Sequence, residues 1–85
     1  MNVIEIYARP ACGYCELAKE LLRRRRMAYS EYDVTADRSR MSEMLDRSGG
    51  HMSLPQIFIG GRHVGGYMEL AELDRRGALN ALVAA

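Results

Sequence analysis

The chain has 85 residues, 48% of them hydrophobic and 27% charged, with a formal net charge of +1. That length supports one small core, and the near-neutral balance gives no basis for nucleic-acid binding. No apolar run approaches the roughly 20 residues that span a membrane, and Met1-Asn2-Val3-Ile4-Glu5 has neither a basic leader nor a long apolar stretch. The expectation is one domain over residues 1–85, in the cytoplasm, with no secretory signal.

Val3-Ile4-Glu5-Ile6-Tyr7 is short and rich in β-branched and aromatic side chains, with Glu5 its one charge, which suits a central strand. Arg9-Pro10-Ala11 breaks it, because Pro10 lacks an amide hydrogen and holds Arg9 extended. A helix follows from about Cys12 to Arg26. Its Leu17, Ala18, Leu21 and Leu22 form one face for burial, and Lys19 and Arg23 fall on the outer one. Glu16–Lys19 and Glu20–Arg24 can pair along it, and the run Arg23 to Arg26 complements the negative end of the helix dipole. That run reads as a solvated helix end rather than a docking patch.

Ala28 to Val34 reads as a second strand, so strand, crossover helix and strand make a right-handed parallel βαβ unit. Thr35 or Asp37 can cap the next helix, whose Met41, Met44 and Leu45 face inward and which ends at Gly49-Gly50. Leu54-Pro55 introduces a third strand, Gln56-Ile57-Phe58-Ile59. Gly60-Gly61 is a hairpin turn, and Arg62-His63-Val64 returns as a fourth strand. Gly65-Gly66 opens a last helix from about Tyr67, with Leu70 and Leu73 inward and Gly77 at its end. Leu79, Leu82 and Val83 form a final docked turn. The order βαβαββα predicts an α/β chain with a thioredoxin-like fold, a four-stranded mixed sheet with helices packed on it.

The chemistry concentrates in Cys12-Gly13-Tyr14-Cys15, which holds the only two cysteines. A C-x-x-C between a strand and a helix is a redox signature. A free thiol has a pKa of about 8.5, and a helix N-terminus lowers it through unpaired amide hydrogens and the dipole. That assigns Cys12 as nucleophile, with Arg9 a nearby cation. Cys15 lies on the same helical face one turn deeper and fits the resolving thiol. Burial of both as plain hydrophobes explains either cysteine alone but not the pair at a helix start. A zinc site needs about four ligands, and His51 and His63 complete that count without the spacing.

The chain resembles the dithiol glutaredoxins over nearly its whole length, and among them most the short bacterial members. Four stretches carry the resemblance: Tyr7 to Cys15, Ser53-Leu54-Pro55-Gln56-Ile57-Phe58-Ile59, Gly65-Gly66 before the last helix, and Leu73-Asp74-Arg75-Arg76-Gly77. It implies a glutathione-dependent thiol–disulfide oxidoreductase that reduces glutathione mixed disulfides and protein disulfides through Cys12 and Cys15. Disulfide-containing or glutathionylated proteins would be its partners, ribonucleotide reductase among the candidates, and the chain would be a monomer. Arg9 matches the family's lysine and would pair with a glutathione carboxylate, while Tyr14 would flank the ligand. Leu54-Pro55 matches the family's Thr-Val-Pro, which implies a cis peptide bond and backbone pairing with glutathione. Gly66, Tyr67, Met68 and Glu69 match part of its Gly-Gly-Cys-Asp-Asp, where helix-start amides receive a carboxylate.

Three departures bear on that picture. Gly13 stands where proline is more usual, which loosens the turn. Met68 stands where an aspartate would meet the ligand's amino group, which predicts weaker glutathione specificity. The Gly49 to Ser53 loop is one residue longer than the nearest pattern. Some glutaredoxins with Cys-Gly-Tyr-Cys hold a [2Fe–2S] cluster between two subunits through the first cysteine and glutathione. The alternative reading is therefore a cluster-binding dimer with Cys12 as its metal ligand, and no metal otherwise. A reductant served by a separate reductase instead of glutathione is a third.

Overall fold

The computed structural model describes residues 1–85. It contains β1 (Ile4–Ala8), α1 (Gly13–Arg24), β2 (Ser30–Asp33), α2 (Arg38–Ser48), β3 (Gln56–Ile59), β4 (Arg62–Gly65), α3 (Tyr67–Arg75) and α4 (Ala78–Ala84). The strands form one mixed sheet in the order β2-β1-β3-β4. β1 runs parallel to β2 and antiparallel to β3, and β4 returns antiparallel on the outer edge. This is the thioredoxin-like α/β architecture that the sequence pattern predicts.

Strand alternation sorts the core into two layers. Ile4 and Ile6 of β1 and Ile57 and Ile59 of β3 point to one face, under Ala18, Leu21 and Leu22 of α1, Leu70 of α3, and Leu79 and Val83 of α4. Tyr7 and Phe58 point to the other, where they meet Val34 and Met44 of the α2 side. Each such aliphatic side chain contributes about 1.5–3 kcal/mol on burial. At the end of β1 nearest α1, Ala8, Cys12 and Cys15 form a third small cluster with Leu54.

Several boundaries differ from the sequence reading. β1 starts at Ile4, with Val3 exposed, and β2 covers only Ser30–Asp33. α1 stops at Arg24 because Arg26 adopts a left-handed conformation, φ 58°. Met27 N–H then bonds Leu22 O and Arg26 N–H bonds Arg23 O, a Schellman closure that tucks Met27 against the core. Leu17 is 44% exposed, because the buried stripe runs through Cys15, Ala18, Leu21 and Leu22. Lys19 lies inward of its expected place, its ammonium 2.7 Å from Glu16 and 3.0 Å from Glu31 on the edge strand. Asp37, not Thr35, caps α2, accepting from Ser39 N–H at 2.9 Å. The C-terminal residues expected as a turn make a full helix, α4, whose N-cap Gly77 supplies the left-handed bend (φ 72°).

The α2 face also carries a polar network that joins sheet to helix. Arg47 donates to both carboxylate oxygens of Glu5, at 2.9 and 3.2 Å, and to the Tyr7 hydroxyl at 2.7 Å, and its guanidinium lies 4.2 Å over Phe58. Tyr7 in turn donates to Glu43. Burial first, then Glu43, pushes the Tyr7 hydroxyl up to about 12. The bonds from Arg47 hold the Glu5 carboxyl below the usual carboxylate range. A depressed carboxylate stabilises fully above its unfolded pKa of about 4.3 and loses that contribution as pH falls through the folded value. Urea unfolding of Glu5→Gln should therefore show a deficit of about 1–3 kcal/mol at neutral pH. The deficit should close in acid below the carboxylate range; a gap independent of pH would remove Arg47–Glu5 as its source.

Candidate functional site

Cys12 is the N-cap residue of α1, in an extended conformation, and its sulfur accepts a hydrogen bond from the Cys15 backbone N–H at 3.2 Å. Ser, Thr, Asp or Asn usually fills this position; here a sulfur takes the role of the capping oxygen. The chain reaches it through Ala11, which is left-handed at φ 56°. That conformation costs a non-glycine residue roughly 1–2 kcal/mol and turns the backbone sharply between β1 and α1. Cys12 and Cys15 are joined as a disulfide, Cα atoms 5.2 Å apart. Their exposures differ: Cys12 retains 7% and Cys15 none. Cys12 is therefore the less deeply buried of the two, as the one-turn spacing predicts.

A cleft of about 200 Å³ opens beside the disulfide, lined by Tyr14, Ser53, Leu54, Pro55, Gly66, Tyr67, Met68 and Glu69. Leu54 connects the two, since its carbonyl oxygen lies 3.9 Å from the Cys12 sulfur. The Leu54–Pro55 peptide bond is cis. The rings of Tyr14 and Tyr67 stack with centroids 6.1 Å apart, tying the start of α1 to the start of α3. Glu69 Oε1 accepts the Gly66 N–H at 2.7 Å, so the helix-start amide that the sequence reading leaves free is held by the chain's own carboxylate. Glu69 is the one acidic or basic side chain in this lining. A second groove of about 430 Å³ lies beyond Met68 and Glu69, among Arg62, Glu72, Leu73 and Arg76, and holds no cysteine.

The family model described as Glutaredoxin matches residues 4–64. Glutaredoxin 3 of Escherichia coli is 39% identical over 83 residues, which cover 98% of this chain and 99% of that protein. The chain belongs to the glutaredoxin family. The solution structure of a Brucella melitensis glutaredoxin superposes with a TM-score of 0.82 at 43% identity, covering 98% of this chain and 89% of that one. A buckwheat glutaredoxin, solved as a complex with glutathione, gives 0.87 at 26% identity, covering 98% and 77%. Glutaredoxins are thiol oxidoreductases that use glutathione as reductant, and the cysteine pair fits that chemistry.

Of the residues singled out from sequence, Tyr14, Leu54, Pro55, Gly66, Tyr67, Met68 and Glu69 come together in the cleft beside Cys12. Arg9 does not line it; its guanidinium folds back to donate to Pro10 O at 3.1 Å. Ser53 also lines the cleft, and its place in the Ser53-Leu54-Pro55 run is the sequence signal for it. Gln56 is by sequence only a strand residue, yet its amide nitrogen donates to Ser53 O at 2.7 Å and fixes that loop to β3.

Gly65 is the most constrained glycine of the site. Its φ is 124°, and a Cβ there would sit 2.7 Å from Glu69 Oε1. Gly65→Ala should displace the Glu69 carboxylate from Gly66 as well as strain the backbone, a loss of about 1–3 kcal/mol. Thermal unfolding checks it; a change within about 0.5 kcal/mol, the range of a neutral surface substitution, would mean the cap is dispensable.

Proposed function

We propose that the protein reduces glutathione mixed disulfides and protein disulfides at the expense of glutathione, with Cys12 as nucleophile and Cys15 as resolving thiol. The observation that carries the reading is the Cys12 sulfur at a helix N-cap, facing the Cys15 N–H, with Cys15 wholly buried beneath it. An N–H aimed at a sulfur strengthens when the sulfur is an anion, so the cap favours the thiolate over the thiol.

In the reduced protein the Cys12 thiolate attacks the glutathionyl sulfur of a mixed disulfide. A new S–S bond to Cys12 forms, the substrate's S–S bond breaks, and the substrate leaves as a thiolate that takes a proton from water. A second glutathione thiolate then attacks the glutathionyl sulfur on Cys12, which releases glutathione disulfide and regenerates the Cys12 thiolate. With a protein disulfide, Cys12 attacks one sulfur and the Cys15 thiolate resolves the mixed disulfide, which leaves the Cys12–Cys15 disulfide and a reduced dithiol. One glutathione thiolate then attacks the Cys12 sulfur and frees the Cys15 thiolate, and a second attacks the glutathionyl sulfur, which releases glutathione disulfide and the Cys12 thiolate. The cleft supports a glutathione backbone beside Leu54, with its γ-glutamyl end toward Gly66, Tyr67, Met68 and Glu69 and Tyr14 over the sulfur. Arg9 would meet a carboxylate by swinging away from Pro10. Ribonucleotide reductase fits the class of dithiol substrates, and the reading places the protein as a monomer in the cytoplasm.

The alternative, a [2Fe–2S] cluster shared by two subunits, would take about four ligands, with Cys12 the one from each chain and glutathione supplying the others. No three His, Cys, Asp or Glu side chains of a single chain converge, and the Cys12 sulfur is bonded to Cys15, so Cys12 would have to be reduced before it could serve.

Cys12→Ser should abolish all exchange. Cys15→Ser should retain reduction of a glutathionylated peptide and lose reduction of a protein disulfide; loss of both would refute the division of roles. Met68→Asp should tighten glutathione binding, since it adds an anion where the cleft has an apolar side chain. Calorimetric titration of the two forms decides it, and equal or weaker affinity would count against the γ-glutamyl placement.

A further inference from the structure

Hydrogen bonds on the far wall of the cleft fix the tautomers of two histidines that the redox chemistry does not use. His51 and His63 both line a cavity of about 480 Å³, which shares Ser53, Gly66 and Glu69 with the cleft. His51 Nδ1 lies 2.6 Å from Ser48 O. A carbonyl only accepts, so Nδ1 carries a proton, and in the neutral tautomer Nε2 keeps the lone pair. For His63 the logic takes one more step. Gln56 Nε2 donates to Ser53 O at 2.7 Å, which sets the amide so that its Oε1 faces His63 Nε2 at 2.6 Å. His63 Nε2 therefore carries the proton, and Nδ1 keeps the lone pair.

Two imidazoles, each with one N–H anchored on an oxygen, are what a metal-binding histidine pair requires. The spacing fits as well. With metal–nitrogen bonds of 2.0–2.1 Å and a tetrahedral angle, the centroids of two ligating imidazoles lie roughly 5 Å apart. The His51 and His63 centroids are 5.5 Å apart, at 53° between planes. Both residues are exposed, so a metal reaches them from solution. No third His, Cys, Asp or Glu converges on them, which leaves the other positions to water. Imidazole nitrogen suits zinc, nickel and copper over calcium or magnesium.

We propose that His51 Nε2 and His63 Nδ1 bind one divalent transition-metal ion of the zinc type, at a site beside the cleft and independent of the cysteines. The test uses tag-free, fully oxidised protein, so that no thiol competes. Calorimetric titration with Zn2+ should give one saturable site. His51→Ala and His63→Ala should each weaken it by more than the roughly 10–100-fold that loss of a residue supporting a ligand costs. Because His63 packs on Phe58 with ring centroids 4.9 Å apart, the exposed His51→Ala variant carries the test if His63→Ala does not fold. Imidazole nitrogen NMR of the wild type should show the protons on His51 Nδ1 and His63 Nε2, with zinc shifting His51 Nε2 and His63 Nδ1. Absence of saturable binding, retention of wild-type affinity in His51→Ala, or the opposite tautomers would overturn the proposal.

Discussion

The bond from the Cys15 amide to the Cys12 sulfur is the contact through which local structure and redox chemistry meet. A helix start has amide hydrogens that need an acceptor, and this chain supplies sulfur instead of an oxygen. Sulfur in a disulfide is a weak acceptor, whereas a thiolate is a charged one. Reduction therefore improves the cap of α1 at the moment it creates the nucleophile, and the helix opposes loss of the anion. Stabilising the reduced form in this way makes the disulfide a better oxidant than an uncapped pair would be. The backbone and a small apolar cluster hold that sulfur in place. Ala11 bends the chain toward it, and Ala8, Cys15 and Leu54 pack beneath it.

The parts of the fold that the sequence makes legible are those where one physical signal dominates. Gln56–Ile59 reads as a strand because all four residues are buried. Gly60 and Gly61 read as a hairpin turn because both take positive φ, 59° and 79°, which glycine reaches without strain. The misplaced residues are those whose environment comes from another part of the chain. Lys19 belongs on the outer face by helical periodicity alone, but Glu31 on the neighbouring edge strand draws it inward. Arg26 ends α1 in a conformation usually left to glycine, and the contact of Met27 with the core sustains it. Glu5 is a charge in a central strand, which makes sense only once Arg47, 42 residues away, is seen to bond it.

The candidate site divides the same way. The cysteine pair and the Leu54-Pro55 and Gly65-Gly66 runs are readable because they depend on local backbone chemistry and on resemblance. Their convergence on one cleft depends on the sheet, which brings the start of β3 beside the end of β1 through Tyr7 opposite Gln56. Arg9 shows the limit of spacing arguments. It is three residues from Cys12 in sequence, yet its guanidinium turns to Pro10 O instead of the cleft.

Glu69 is where the recognition side of the site acquires its character. As the N3 residue of α3, it closes a capping interaction on Gly66, and so a carboxylate occupies the amide that an anionic ligand group would seek. On the proposed function, a ligand carboxylate that took this amide would have to displace Glu69, and the freed side chain would offer its charge to an ammonium on the same ligand. An amino-acid end carrying both charges would recover both interactions, whereas a simple anion would recover one. Met68 beside it adds no charge to that exchange. The same oxygen, Glu69 Oε1, thus caps α3 and stands where the proposed ligand would be read.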